Sequence, residues 1–189
     1  MLLSILTPAV PSRLEQLEKL CDEFQVQIGD STAVEHLVLL DNKRRTVGEK
    51  RDALLRAARG EYIAFVDDDD WVLRTYVADL LAAIRQEPRP DVVTFCQKAT
   101  VNGRDSKIIF RLGSPNEAFN EYGVTRRNAW HVCAWKRSLA ILSHFPAINY
   151  GEDWAFAMPL CARPNLREAH INKVLHHYRH DARTTEAPA

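Results

Sequence analysis

The sequence predicts an α/β fold in which a mixed, mostly parallel sheet is flanked by helices. Short apolar runs recur along the first half of the chain, and uninterrupted runs of this kind are typical of strands buried on both faces. After each of the first three runs, apolar residues return at helical spacing. Asp41 and the run Asp67–Asp70 directly follow two of the expected strands. This alternation favours a parallel sheet whose ligand site lies at the carboxyl ends of the strands.

The first half of the chain carries the regular part of this pattern. Thr7-Pro8 ends the first apolar run, Ser12–Glu15 has the sequence of a capping box, and Gly60 is well placed to end the second helix. The expected elements are strand Leu2–Leu6, a helix with apolar positions from Leu14 to Phe24, strand His36–Leu40, helix Gly48–Arg59, strand Tyr62–Val66, helix Thr75–Gln86 and strand Val92–Cys96.

The second half is less regular. Asn102-Gly103 is a hairpin turn signal, residues 113–129 are expected to form a loop, and residues 184–189 are expected to be a disordered tail. The remaining expected elements are the hairpin strands Gln97–Val101 and Lys107–Arg111, the helices Arg137–Ser143 and Trp154–Cys161, and the strand Val174–Tyr178.

Length and composition are those of an ordinary globular protein. The chain has 189 residues, 46% of them hydrophobic and 26% charged, which predicts one domain, expected over residues 1–183. Basic and acidic residues balance at 25 each, so net charge gives no support for a general binder of nucleic acid or anionic membranes.

The four cysteines, Cys21, Cys96, Cys133 and Cys161, form no CxxC pair, which argues against a zinc ribbon or a thioredoxin-like motif. Their apolar surroundings predict buried free thiols and a reducing, cytoplasmic location. Residues 1–10 are apolar but lack a basic start and contain a proline, so they predict a strand rather than a signal peptide.

Four consecutive carboxylates, Asp67–Asp70, follow the expected strand Tyr62–Val66. Like charges this close raise one another's pKa unless a cation lies among them. Hard divalent cations bind such oxygens, and Mg²⁺ typically takes one or two carboxylates together with substrate phosphates. The alternative interpretation is a solvated acidic turn, or a helix N-cap that uses one aspartate.

Other polar residues also allow two interpretations. Glu152-Asp153 precedes an apolar helical segment, so it either complements a helix dipole or supplies a general base. Asp41 either starts an Asx-turn or binds a ligand. A nearby basic stretch forms either a solvated face or a phosphate contact, and it comprises Lys43, Arg44, Arg45, Lys50 and Arg51.

Two groups of ring side chains in the second half are further candidates. A C-terminal group is either structural or solvated, or has a metal or phosphate role, although HxxxH on a strand does not direct both rings at one ion; it comprises His176, His177, Arg179 and His180. An aromatic group is either core or an acceptor platform, and it comprises Trp130, His131 and Trp135.

Together these motifs resemble glycosyltransferase family 2, the inverting GT-A transferases that use nucleotide sugars. The resemblance runs from Leu2 to Tyr178 and is most specific over Gly48–Trp71, which holds Lys50-Arg51 and the aspartate run, followed later by Gly151-Glu152-Asp153-Trp154. It implies a Rossmann-like nucleotide-diphospho-sugar transferase fold. Residues 1–96 would form the nucleotide-sugar-binding half and residues 97–183 the acceptor-binding half.

The resemblance also implies roles by position. A Mn²⁺ or Mg²⁺ ion would be held by Asp69, with Asp67 and His180. Asp153 would be the catalytic base, with Glu152 beside it. The donor, expected to be a UDP-sugar, would contact Thr7, Pro8, Asp41, Arg51, Asp67, Asp68 and Arg179. The acceptor would contact Trp130, His131 and Trp154.

The sequence departs from the family pattern at the donor loop, because Lys43-Arg44 replaces the usual Gly-Ser and Asp52 replaces the usual Asn. The short chain and the lack of a transmembrane segment argue against a processive polysaccharide synthase. Expected acceptors are a glycan, a lipid-linked saccharide, a protein or a modified DNA base. The alternatives are a metal-dependent nucleotidyltransferase and a non-catalytic nucleotide-sugar-binding module.

Overall fold

The computed structural model describes residues 1–180 of the chain. Over those residues the strands are β1 (Leu3–Ala9), β2 (Val34–Leu40), β3 (Tyr62–Phe65), β4 (Trp71–Val72), β5 (Val92–Val101), β6 (Arg104–Phe110), β7 (Val124–Arg127), β8 (Ala134–Lys136) and β9 (Glu168–His180). The helices are α1 (Leu14–Ile28), α2 (Val47–Ala57), α3 (Tyr76–Ile84), α4 (Arg137–Ala140) and α5 (Glu152–Cys161). The expected tail, and residues 181–183 of the expected domain, lie outside the described part.

The predicted fold class is confirmed: a mixed, mostly parallel central sheet is flanked by helices. The strand order is β2-β1-β3-β8-β5-β6-β7, and β9 pairs with β4 and β5. Strands β2, β1 and β3 pair in parallel, and β9 runs parallel to β5. Strand β8 is antiparallel to both β3 and β5, so these two neighbours share one direction. One sheet therefore contains strands from both halves of the chain.

Several strand predictions were wrong or incomplete. The two-residue strand β4 was not expected, and the expected strands Val92–Cys96 and Gln97–Val101 form the single strand β5. The three-residue strand β8 was not expected, and it separates β3 from β5. Strand β7 lies inside the expected loop 113–129 and pairs in parallel with β6. Strand β9 has 13 residues instead of the expected Val174–Tyr178, because pairing with β5 extends it through the polar sequence His170–Lys173.

The helix boundaries also differ from expectation. The expected capping box at Ser12 is wrong, because residues 11–13 form a 3-10 turn and the N-cap Arg13 makes no side-chain capping bond. A capping box instead opens α2, where Thr46 and Glu49 cap each other. Gly60 does not end α2, whose C-cap is Ala58. Gly60 instead packs closely against β1, where a Cβ on this residue would lie 2.5 Å from the Ser4 amide nitrogen.

The core lies on both faces of the central strands. Every residue of β1 and β3 is buried, and the largest fully buried side chains include Trp135, Tyr62, Phe65 and Phe95. All four cysteines are free, as expected. Within residues 1–180, no helix is both long and apolar enough to cross a bilayer.

Candidate active site

The carboxyl ends of β1, β2 and β3 meet at one edge of the sheet, and an open cleft of about 170 Å³ lies there. One wall is formed by Pro8–Val10 at the end of β1 and by Asp67–Asp69 after β3. Tyr178-Arg179 at the end of β9, Glu152 at the start of α5, and Lys50 and Arg51 on α2 also line the cleft. The fold thus brings together the two acidic motifs, although 82 residues separate Asp70 from Asp153 in the sequence.

Arg51 on α2 joins these two motifs. Its Nη2 donates to both carboxylate oxygens of Asp67 at 2.8 Å, and its Nη1 donates to Glu152. The Arg51 side chain is only 4% exposed. Burial raises the pKa of Asp67, but the Arg51 charge and hydrogen bond, together with His131 and His176, outweigh that effect and the net pKa lies below its ordinary value. Burial raises the pKa of Glu152 despite Arg51. The Glu152 carboxylate is therefore paired with the Arg51 guanidinium, which leaves it less available to accept a substrate proton.

Arg13 makes the matching contacts on the other side of the aspartate run. Its Nη1 donates to Asp68 at 2.8 Å, and its Nη2 lies 3.1 Å from Asp69. Asp68 is buried and also accepts the Val10 amide at 2.8 Å, so it ties the loop after β1 to the loop after β3. Burial, followed by the neighbouring carboxylates Asp67 and Asp68, raises the pKa of Asp69 to about 6 against the opposing Arg13 charge.

Asp70 points away from the cleft and holds the end of β9. Its carboxylate accepts the Arg179 amide at 3.0 Å, and its carbonyl accepts the Arg179 guanidinium at 3.3 Å. The same carboxylate lies 3.5 Å from His176, whose other ring nitrogen is 2.8 Å from the Gln97 side-chain amide. Burial raises the pKa of Asp70 well above its ordinary value. These contacts place Arg179 at the cleft.

Asp41, at the end of β2, is held by two cations. Lys50 lies 3.1 Å from one carboxylate oxygen and Arg45 lies 3.3 Å from the other. Lys50 also donates to the Ala9 carbonyl at 3.1 Å and lines the cleft. Because Lys50 and Arg51 are both buried, this part of the basic stretch is not a solvated face.

Asp153 is the second residue of α5 and directly follows Glu152, which lines the cleft. Its carboxylate accepts the Trp130 indole N–H at 3.1 Å and the Trp154 amide at 2.7 Å. Its side chain is 29% exposed, whereas that of Glu152 is 6% exposed. His131 Nδ1 lies 3.9 Å from Asp153, and burial lowers the pKa of His131 to about 4. The expected acceptor residues therefore surround Asp153, with Trp154 half-exposed and Trp130 buried.

Two expected site residues lie elsewhere. Thr7 is buried and its hydroxyl is 3.0 Å from a His36 ring nitrogen, so its side chain does not line the cleft. His180 stacks beside Tyr178 with ring centroids 6.3 Å apart. Within residues 1–180, no group of three His, Cys, Asp or Glu side chains is arranged as a ready metal site. The carboxylates of Asp67 and Asp69 still suit Mg²⁺ or Mn²⁺, because such an ion takes few protein ligands and completes its shell with substrate phosphates.

Family comparison agrees with this geometry. The family described as Glycosyl transferase family 2 matches residues 17–141. The chain belongs to glycosyl transferase family 2. That match covers α2, the aspartate run and β8, and it ends before α5. Comparison with curated protein sequences finds no match.

Solved structures show the same GT-A fold as this family 2 chain. S. aureus TarS in complex with UDP-GlcNAc has a TM-score of 0.73 at 18% identity over 99% of the chain. The mannosyltransferase PcManGT from Pyrobaculum calidifontis, in complex with GDP-Man and Mn²⁺, has a TM-score of 0.62 at 15% identity over 96% of the chain. The chain spans 62% of that TarS structure, 37% of a longer TarS structure and 58% of PcManGT. At these identities the likeness establishes the fold.

Several residues of the site carried no signal of their own in the sequence. Arg13 has no sequence signal beyond the capping-box pattern, and the signal at Asp70 is shared with the rest of the aspartate run. Lys50 belongs to the basic stretch, but its contact with Asp41 depends on the packing of α2 against β1 and β2. The order of Lys50-Arg51 along α2 was the available clue, because consecutive helical residues point in different directions and so reach different carboxylates.

Proposed function

We propose that this chain is a glycosyltransferase that moves a sugar from a nucleoside-diphosphate sugar to an acceptor hydroxyl, with inversion at the anomeric carbon. The observation that carries the proposal is the cleft at the carboxyl edge of the sheet. There, Arg51 binds both Asp67 and Glu152, the first residue of α5, and Asp153 is the next residue of that helix. Membership of family 2 and the complexes of TarS and PcManGT with nucleotide sugars support the donor class.

The donor would lie between the end of β1 and the aspartate run. Pro8 and Lys50 line the part of the cleft beside Asp41, which suits the nucleoside. We propose a UDP-sugar as the donor, consistent with a carboxylate at Asp41 that can accept the N3–H of uracil. Arg179 lies across the cleft, where its charge would stabilise the diphosphate as it leaves.

Asp69, with Asp67, is the proposed ligand set for Mn²⁺ or Mg²⁺. The raised pKa of Asp69, about 6, reflects burial among like charges, and a divalent cation would relieve that repulsion. A bound ion supplies Lewis-acid stabilisation of the diphosphate leaving group. Arg51 donates to both carboxylate oxygens of Asp67, whereas Arg13 approaches one oxygen of Asp69 at 3.1 Å, so Asp69 keeps one oxygen for a metal ion.

Asp153 is the proposed general base. It is partly exposed, and its contacts are N–H donors that leave further lone pairs on both oxygens. As the acceptor oxygen bonds to the anomeric carbon, the bond from that carbon to the diphosphate breaks and the hydroxyl proton passes to Asp153. The products are an inverted glycoside and a nucleoside diphosphate. Half-exposed Trp154 lies beside Asp153 and suits contact with the acceptor.

The test is Asp153→Asn, which keeps size and polarity but removes the proton acceptor. General-base catalysis is worth about 10²- to 10⁴-fold, so kcat should fall by that order while donor affinity, measured by calorimetry, stays unchanged. UDP release from UDP-GlcNAc with Mn²⁺ is the starting assay. Near-normal turnover in the variant would contradict the assignment of the base. Release of pyrophosphate instead of a nucleoside diphosphate would identify a nucleotidyltransferase.

A further inference from the structure

Trp130 is the most tightly held aromatic residue beside the proposed base. The residue is only 8% exposed, so little of its surface is open to an acceptor. The indole Nε1–H donates to Asp153 at 3.1 Å, and this contact joins the loop before β8 to the start of α5. We propose that Trp130 is a positioning residue that orients the Asp153 carboxylate for proton transfer. The inference rests on the proposed function, because it assigns Asp153 as the base.

The backbone of Trp130 is anchored at several points. Its carbonyl accepts the Trp135 indole N–H at 2.9 Å and the Cys133 amide at 3.1 Å. Trp135 is fully buried, so this anchor belongs to the core. The preceding residue, Ala129, accepts a hydrogen bond from Cys161 at the end of α5 at 3.1 Å. The loop is therefore tied to both ends of α5, and the indole has little freedom to move.

The ring of Trp130 is fixed as well. The Arg127 guanidinium lies over one region of the ring at 5.6 Å from its centroid, and Trp154 meets it edge to face at 5.7 Å. Such contacts restrict rotation of the indole about its side-chain bonds. The N–H direction is consequently set by these ring contacts together with the anchored backbone. A rigid donor can select one orientation of a partly exposed carboxylate, as a precise site requires.

The other neighbours of Asp153 do not provide this constraint. The Trp154 amide bond lies within adjacent residues of α5 and cannot fix the carboxylate relative to the rest of the cleft. His131 Nδ1 lies 3.9 Å away, beyond hydrogen-bond distance. Among the described contacts, Trp130 therefore supplies the one long-range hydrogen bond to the Asp153 carboxylate.

The test is Trp130→Phe, which keeps an aromatic ring and removes the N–H donor. Hydrogen bonds to charged groups are strong enough for kcat to fall about ten- to hundredfold, with the donor KM unchanged. UDP release from UDP-GlcNAc with Mn²⁺ measures both constants. The same change in an Asp153→Asn background should lower kcat less than about twofold, because Trp130 acts through the carboxylate.

Tyr62→Phe is the matched control. It removes the hydroxyl of a fully buried aromatic residue that donates to the Pro90 carbonyl at 2.6 Å and contacts neither Trp130 nor Asp153, so stability should fall while kcat changes little. Equal kcat losses in the Trp130→Phe and Tyr62→Phe variants, or an equal loss from Trp130→Phe in the Asp153→Asn background, would show a purely structural role and overturn the proposal.

A second readout needs no turnover. In ¹H–¹⁵N spectra the Trp130 indole resonance, assigned by its disappearance in Trp130→Phe, should shift in Asp153→Ala. An unmoved resonance overturns the positioning role. Normal kcat in Asp153→Asn alone contradicts the proposed base, so the two failures are distinguishable.

Discussion

Arg51→Met should be the most destabilising single change at the cleft. The wild-type guanidinium, 4% exposed, is bound to Asp67 and Glu152 together. Removing it leaves two carboxylates buried without their cation, and breaking a buried ion pair from one side costs about 3–5 kcal/mol. In a domain of this size, each kcal/mol corresponds to roughly 2–4 °C, so Tm should fall by about 10 °C.

The loss should depend on pH. In the wild type the pKa of Asp67 lies below its ordinary value, so the pair contributes stability above about pH 4 that is lost as pH falls through the folded-state pKa. In Arg51→Met the Arg51 charge no longer opposes burial, so the pKa of Asp67 rises and the penalty develops as pH rises above about 4. The difference in unfolding free energy between the wild type and Arg51→Met should reach its full value at pH 7 and be much smaller at pH 4.

Urea unfolding at pH 7 and pH 4 measures this difference. Arg56→Met is the matched control on the same helix, because Arg56 forms an exposed pair with Asp52 and is 73% exposed. It should cost at most about 0.5 kcal/mol. Adding Glu152→Gln to Arg51→Met should recover part of the loss. A penalty below about 1 kcal/mol for Arg51→Met, or one that is equal at both pH values, would refute the reasoning.

Two further predictions concern the metal and the packing of α2. Asp69→Ala should weaken donor binding in calorimetry to the level seen with EDTA, and Mn²⁺ should restore binding only in the wild type; donor affinity insensitive to both treatments would exclude the metal role. Gly48→Ala should destabilise the protein by about 2 kcal/mol or more, because its Cβ would lie 1.8 Å from the Pro146 carbonyl oxygen. Gly123→Ala, which meets only the Asn120 side chain, is the control, and equal effects on Tm would argue against this packing explanation.

Local sequence pattern was sufficient for the fold class. The runs now seen as β1 and β3 are apolar because both faces of these strands are covered, and that property is visible residue by residue. Strand β8 could not be found in this way. It has three residues, and its identity as a strand depends on the partners β3 and β5 that lie on either side of it.

The acidic motifs were equally visible, because consecutive aspartates after a buried strand and Glu-Asp before a helix are local features. The different contacts of the residues within each motif were not visible in the sequence. Glu152 and Asp153 are adjacent in sequence, yet one is bound to Arg51 and the other is partly exposed beside Trp130. Consecutive positions at a helix start point in different directions, so burial and charge partners differ between them.

The sequence by itself thus determined the alternation of strands and helices, the family and the carboxylates expected at the cleft, since each depends on residue type and short spacing. Only the tertiary structure decided which cation each carboxylate meets. Three arginines reach the aspartate run from different elements. Arg13 comes from the 3-10 turn before α1, Arg51 from α2 and Arg179 from β9. Long-range packing sets these approaches, and electrostatic energy changes steeply over a few ångströms, so sequence spacing does not specify them.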